Sequence, residues 1–154
     1  MNYLMQIMKL TKIVLGLVWN VTLLEEAYKY IGVDASPGDR ADDVLGCAES
    51  VTEILKKVRP RTPIILGTWT LNEYFKNTKG YRQVTVPMPG DIVISPTGMG
   101  NGKIRGHVGI VGRRGTILSN SSASGKWMSF YTLESWNKRY QKKGGITTTY
   151  YSLI

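Results

Sequence analysis

The chain holds one cysteine, Cys47, and one histidine, His107, and each stands at the head of a patterned segment. Cys47 lies in D-D-V-L-G-C-A-E-S-V, which has the pattern of a helix start, and His107 opens the strand-like run G-H-V-G-I-V. A thiol attacks carbonyl carbon as thiolate, a form favoured by the unpaired amides and dipole of a helix N-terminus and by a neighbouring imidazole. A pair of this kind is the minimal equipment of a cysteine hydrolase. The plainer alternative is a buried structural cysteine and an unrelated histidine.

Other chemistries fit the composition less well. One cysteine makes no intramolecular disulfide, so a disulfide-stapled scaffold is excluded, and the redox compartment stays open. Structural zinc sites take four nitrogen or sulfur ligands and catalytic ones usually take three protein ligands including histidines, so zinc-dependent amidase chemistry is disfavoured. No residue set calls for a metal or other cofactor. The net charge of +9 favours a polyanionic partner, whether nucleic acid, an anionic membrane surface or a wall polymer such as teichoic acid. The basic residues fall in small scattered groups, and no signature of a common nucleic-acid module is present, which disfavours nucleic acid.

At 154 residues the chain suits one domain with a sizeable core. Residues 1–19 read as an amphipathic extension, with Leu4, Ile7, Met8, Leu15 and Val18 on one face that docks on the domain or on a membrane surface, the former being preferred. The short apolar stretch lacks a cleavage-site pattern and argues against a signal peptide or a membrane span. Residues 20–154 form the domain proper. A capping box at Thr22 and Glu25 predicts a helix over 22–31, stopped by Gly32. A second helix carries Cys47, Val51, Ile54, Leu55 and Val58 on one face up to Pro60, and a third covers 70–76.

Strand-like, β-branched or aromatic segments follow at 81–86, 91–95, 105–112, 116–120, 127–131 and 146–151, with a short helix over 133–140. Helices first and antiparallel strands afterwards define an α+β domain with helices packed on a sheet of five to six strands. Pro89-Gly90-Asp91 reads as a turn in which Asp91 caps loop amides. Gly106 and Gly109 keep the backbone open beside a cleft or mark a bulge. Trp127 suits the core better than a substrate groove.

The order of G-C-A-E-S-V, P-M-P-G-D-I-V-I and G-H-V-G-I-V, preceded by A-Y-K-Y-I-G-V, resembles the NlpC-type cysteine peptidases and their CHAP amidase relatives. The resemblance covers about residues 22–151. It implies a papain-like fold that cleaves amide bonds of bacterial peptidoglycan, and an origin in a bacterium or as a phage lysin or virion component acting at the cell wall. It further implies Cys47 as nucleophile, His107 as base and a polar residue on the next strand to orient the imidazole. Ser119 and Asn120 are the polar pair there; alternation lets only one face His107, and Asn120 is the choice because an amide oxygen accepts an imidazole N–H well. The turn into residues 121–126 is an alternative role for Asn120.

Two features depart from that family. The run Gly46-Cys47-Ala48 replaces Asp-Cys-Ser, and residues 33–46 hold no tyrosine to assist an oxyanion hole. The Cys47 backbone N–H and a polar side chain of the 34–43 loop are the candidate oxyanion donors. No wall-binding repeat is recognisable. A catalytically silent wall-binding or assembly module on the same fold, and an acyltransferase, are the competing readings. The bond cut and the oligomeric state stay open.

Overall fold

Helix α1, Tyr3–Lys29, contains no proline, and Asn2 caps it by accepting from the Leu4 amide. The computed structural model describes residues 2–36 and 46–154. At 27 residues α1 is about 40 Å long. No break occurs at position 20 or 22: Thr22 lies inside the helix, its hydroxyl donating to the Val18 carbonyl rather than capping a new start. The expected helix over 22–31 is therefore the last third of a longer one. Burial nonetheless begins at Asn20, followed by Leu23, Leu24 and Ala27, so the line drawn between residues 19 and 20 separates an exposed half of the helix from a packed half.

Helices α2, Gly46–Val58, and α3, Thr68–Asn77, follow. In α2 the apolar residues Val51, Ile54, Leu55 and Val58 recur at helical spacing, and all are buried. Pro60 follows the last turn, where a helical amide would be needed.

The rest is a six-stranded antiparallel sheet: β1 Tyr81–Val84, β2 Ile92–Ser95, β3 His107–Val111, β4 Thr116–Asn120, β5 Trp127–Thr132 and β6 Thr149–Leu153. Their order in the sheet is β1-β6-β2-β3-β4-β5. The α+β class and six strands agree with the sequence reading. Alternation along the strands divides the buried residues between two faces. Ile92, Ile94, Val108, Ile110, Leu118 and Trp127 join the core beneath α1, α2 and α3. Val93, Val111 and Ile117 face the other way, where Trp136, Tyr140 and Ile146 cover them.

That second cover differs from the expected single helix over 133–140. A four-residue helix, α4, Leu133–Trp136, is capped reciprocally by Thr132 and Ser135 and runs into a π-helical stretch, Asn137–Lys143. The wider π turn brings Trp136 and Tyr140 together, with ring centroids 4.6 Å apart.

Asp91 locks the packed half of α1 to the sheet. Fully buried, it accepts from Asn20 Nδ2 at 2.6 Å, from the Ser152 hydroxyl and from the Met88 amide at 2.7 Å. The last of these is the loop cap expected of the Pro-Gly-Asp turn. Gly90 has φ +90°, and a Cβ there would meet the Asn20 carbonyl oxygen at 2.2 Å, so only glycine admits this approach of helix to turn. Trp127 is fully buried in the core and does not line a groove.

Candidate active site

Cys47 lies at the start of α2 and His107 at the first position of β3, so both come to the end of the sheet where the strands open into a loop-walled cleft. The cleft encloses about 680 Å³, and Cys47, His107, Ser119 and Asn120 all line it. The approach to His107 is fixed by threonines. Thr68 Oγ1 accepts from the Thr97 amide at 2.9 Å, and Thr97 Oγ1 accepts from the Gly106 amide at 2.9 Å. A Cβ at Gly106 would meet the Thr97 nitrogen at 2.2 Å, which explains the glycine before the histidine as a close backbone approach.

The thiol environment has two opposed parts. The backbone amides of Val108, Ala48 and Cys47 itself favour thiolate, as a helix start beside a strand should, but burial outweighs them and pushes the thiol up to about 11. Cys47 is only 8% exposed. At neutral pH this burial favours the thiol over the thiolate. One of these amides belongs to Val108, the residue after His107.

The imidazole is also neutral, brought down to about 4 by burial and by the positive charge of Arg139. Its ring is stacked on Trp136 at 5.3 Å and Tyr140 at 5.8 Å, with Tyr131 edge-on at 5.9 Å. These rings lie on the sheet face opposite α2. Cys47 packs on the helical face, so the two groups share the cleft from opposite sides of the sheet's end.

Alternation also decides between the polar residues of β4. Asn120 follows Leu118 onto the helical face, where a Cβ on Gly46 would lie 3.1 Å from Asn120 Nδ2. Ser119 pairs with Gly109 and shares the face of Ile117, the face toward which the His107 ring turns. Asn120, the expected orienting partner of His107, adjoins the start of the cysteine helix, and Ser119 lies on the imidazole's side of the strand. Of the candidate oxyanion donors, the Cys47 amide lies at the cleft. The loop between 37 and 45 lies outside the described residues.

Sequence reasoning missed the aromatic box. Trp136 is anchored through its indole N–H on Ser95 Oγ at 3.0 Å, and Ser95 Oγ lies 2.9 Å from Thr148 Oγ1. Trp136 and Tyr140 are four apart and were legible as one helix face, but nothing in their spacing points at a histidine nearly thirty residues upstream. Among the described lining residues the charged ones are Lys103, Arg105 and Arg139, all cationic. No family model matches the chain, and no curated protein matches it.

Proposed function

We propose that the protein is a cysteine hydrolase of amide bonds in bacterial peptidoglycan, on a papain-like fold of the NlpC type. The observation that carries this reading is the shared cleft: the only thiol, at a helix start, and the only imidazole, at a strand start, line one cavity with a backbone amide of the histidine strand against the thiol. Cationic residues around it suit a substrate bearing carboxylates, as peptidoglycan stem peptides do.

In the proposed mechanism the resting pair is neutral. His107 leaves its stack on Trp136 and Tyr140, accepts the Cys47 proton as the sulfur attacks the carbonyl, and returns that proton to the leaving amine. The Cys47 amide stabilises the oxyanion. A water deprotonated by His107 then releases the acyl group from the thioester. Digestion of purified walls, with mass spectrometry of the released fragments, tests the reading. New amine and carboxyl termini that are absent with Cys47→Ser support it, and intact walls under conditions where the chain is folded refute it.

A second reading, a silent wall-binding or assembly module on the same fold, is favoured by the raised thiol pKa and the imidazole's engagement with three aromatic rings. Wall pull-down without fragment release distinguishes it.

A further inference from the structure

The exposed half of α1 has two sides, and the domain determines which is which. Asn2, Gln6, Lys9, Lys12, Gly16 and Asn20 follow one another at spacings of three or four, so they form one stripe along the helix. The same stripe continues into Leu23 and Ala27, both fully buried. Gly16 confirms the direction, because a Cβ there would lie 3.2 Å from the Leu153 carbonyl oxygen at the end of β6. The polar stripe thus lies on the domain's side of the helix axis.

Around the rest of the circumference the helix is apolar apart from Thr11, while Met5 and Ile13, both exposed, interrupt the polar stripe. Leu4, Leu10, Val14 and Leu17 are each more than half exposed, and Ile7 and Val21 lie among them. The expected docking of Leu4, Ile7, Met8, Leu15 and Val18 on the domain does not occur; all five are exposed. A face this wide exceeds the narrow seam by which one helix packs on another. No acidic residue precedes Glu25, while Lys9 and Lys12 stand on the polar side.

We propose that residues 3–19 lie in the headgroup region of an anionic lipid bilayer, their apolar side in the acyl boundary and the globular domain on the aqueous side. Helix α1 is also long and apolar enough to cross a membrane. A crossing pose would carry Lys9 and Lys12 into hydrocarbon, whereas a pose in the surface plane keeps both at headgroup level, beside the anionic lipid. Asn20, held by Asp91, makes the inserted segment a rigid continuation of the fold. This inference stands apart from the hydrolase reading, because it concerns binding alone.

The experiment uses the full chain with Cys47→Ser and one introduced cysteine, Val14→Cys or Gln6→Cys, carrying an environment-sensitive fluorophore. Vesicles are phosphatidylcholine alone or with one part in four phosphatidylglycerol. Expected are flotation with the anionic vesicles, a blue shift of the label at 14 but not at 6, and binding weakened at least tenfold by Val14→Glu or by neutral vesicles. Circular dichroism checks that each variant is folded. Failure to bind anionic vesicles overturns the proposal. So does a blue shift at both positions, which indicates crossing, or lipid-independent dimerisation by sedimentation, which makes a second copy the occupant.

Discussion

Gly46 and Asn120 meet where the cysteine helix reaches the sheet: a Cβ on Gly46 would come to 3.1 Å from Asn120 Nδ2 and 3.0 Å from Ser36 Oγ. The contact links the residue before the thiol to the strand after the histidine. Gly46→Ala should therefore destabilise the fold by about 1–3 kcal/mol, the usual cost of overfilling a packed site. In the double variant with Asn120→Ala, part of that cost should disappear, a non-additivity that urea unfolding would detect. Strict additivity would mean that Asn120 does not restrict the helix start.

The single histidine gives one imidazole signal to follow by NMR. Its pKa near 4 should move up toward the ordinary 6.5 in Tyr140→Ala, which opens the stack to water, and in Arg139→Gln, which removes a neighbouring positive charge. Asn120→Ala should leave it in place, because that residue lies on the opposite face. A titration that shifts with Asn120→Ala and not with Tyr140→Ala would reverse this placement.

The same group sets a pH dependence of stability. Its folded pKa is depressed, so the unfolded chain binds the extra proton first as pH falls. The contribution is present above about 6.5 and is lost progressively toward about 4. Melting temperature should fall across that window, and His107→Gln should flatten this part of the curve. A slope unchanged by the substitution would place its origin in other groups.

Cys47 should behave as a buried thiol toward a neutral alkylating agent: slow at pH 7, with a rate that rises through pH 9 and continues upward toward about 11. On the hydrolase reading, Cys47→Ser and His107→Ala should each lower wall hydrolysis by at least about a thousandfold without loss of fold, since either change removes the attacking species. Chelator should leave the rate unchanged. Rapid alkylation well below neutral pH would indicate a preformed thiolate, contrary to the burial of this side chain.

The sequence pattern identified the elements better than their ends. Strand β4 is found at its expected limits because Gly115 precedes it and a turn follows Asn120. Helix α1 was divided because Thr22 and Glu25 have the spacing of a capping box, a pattern that a mid-helix threonine satisfies by bonding back to Val18. Cys47 and His107, which share the cleft, were legible as candidates from type and position. The side of the sheet to which each turns was not, since alternation fixes faces only once the register of Gly109 against Ser119 is known. The box around His107 depended on a π-helical turn that periodicity at 3.6 does not describe.

Asp91 offers a test of how firmly α1 belongs to the domain. Its carboxylate accepts from Asn20, Ser152 and the Met88 amide, joining helix, last strand and turn at one buried point. Asp91→Ala would leave these donors without their acceptor, at about 1–3 kcal/mol for each buried group that water cannot reach. A loss of about 3 kcal/mol or more is expected in urea unfolding, against a smaller loss for Asp91→Asn, whose amide oxygen still accepts. Hydrogen exchange should accelerate at Leu23, Leu24 and Ala27 before it does in β3. A loss below about 1 kcal/mol, with exchange in α1 unchanged, would show that apolar packing alone seats the helix.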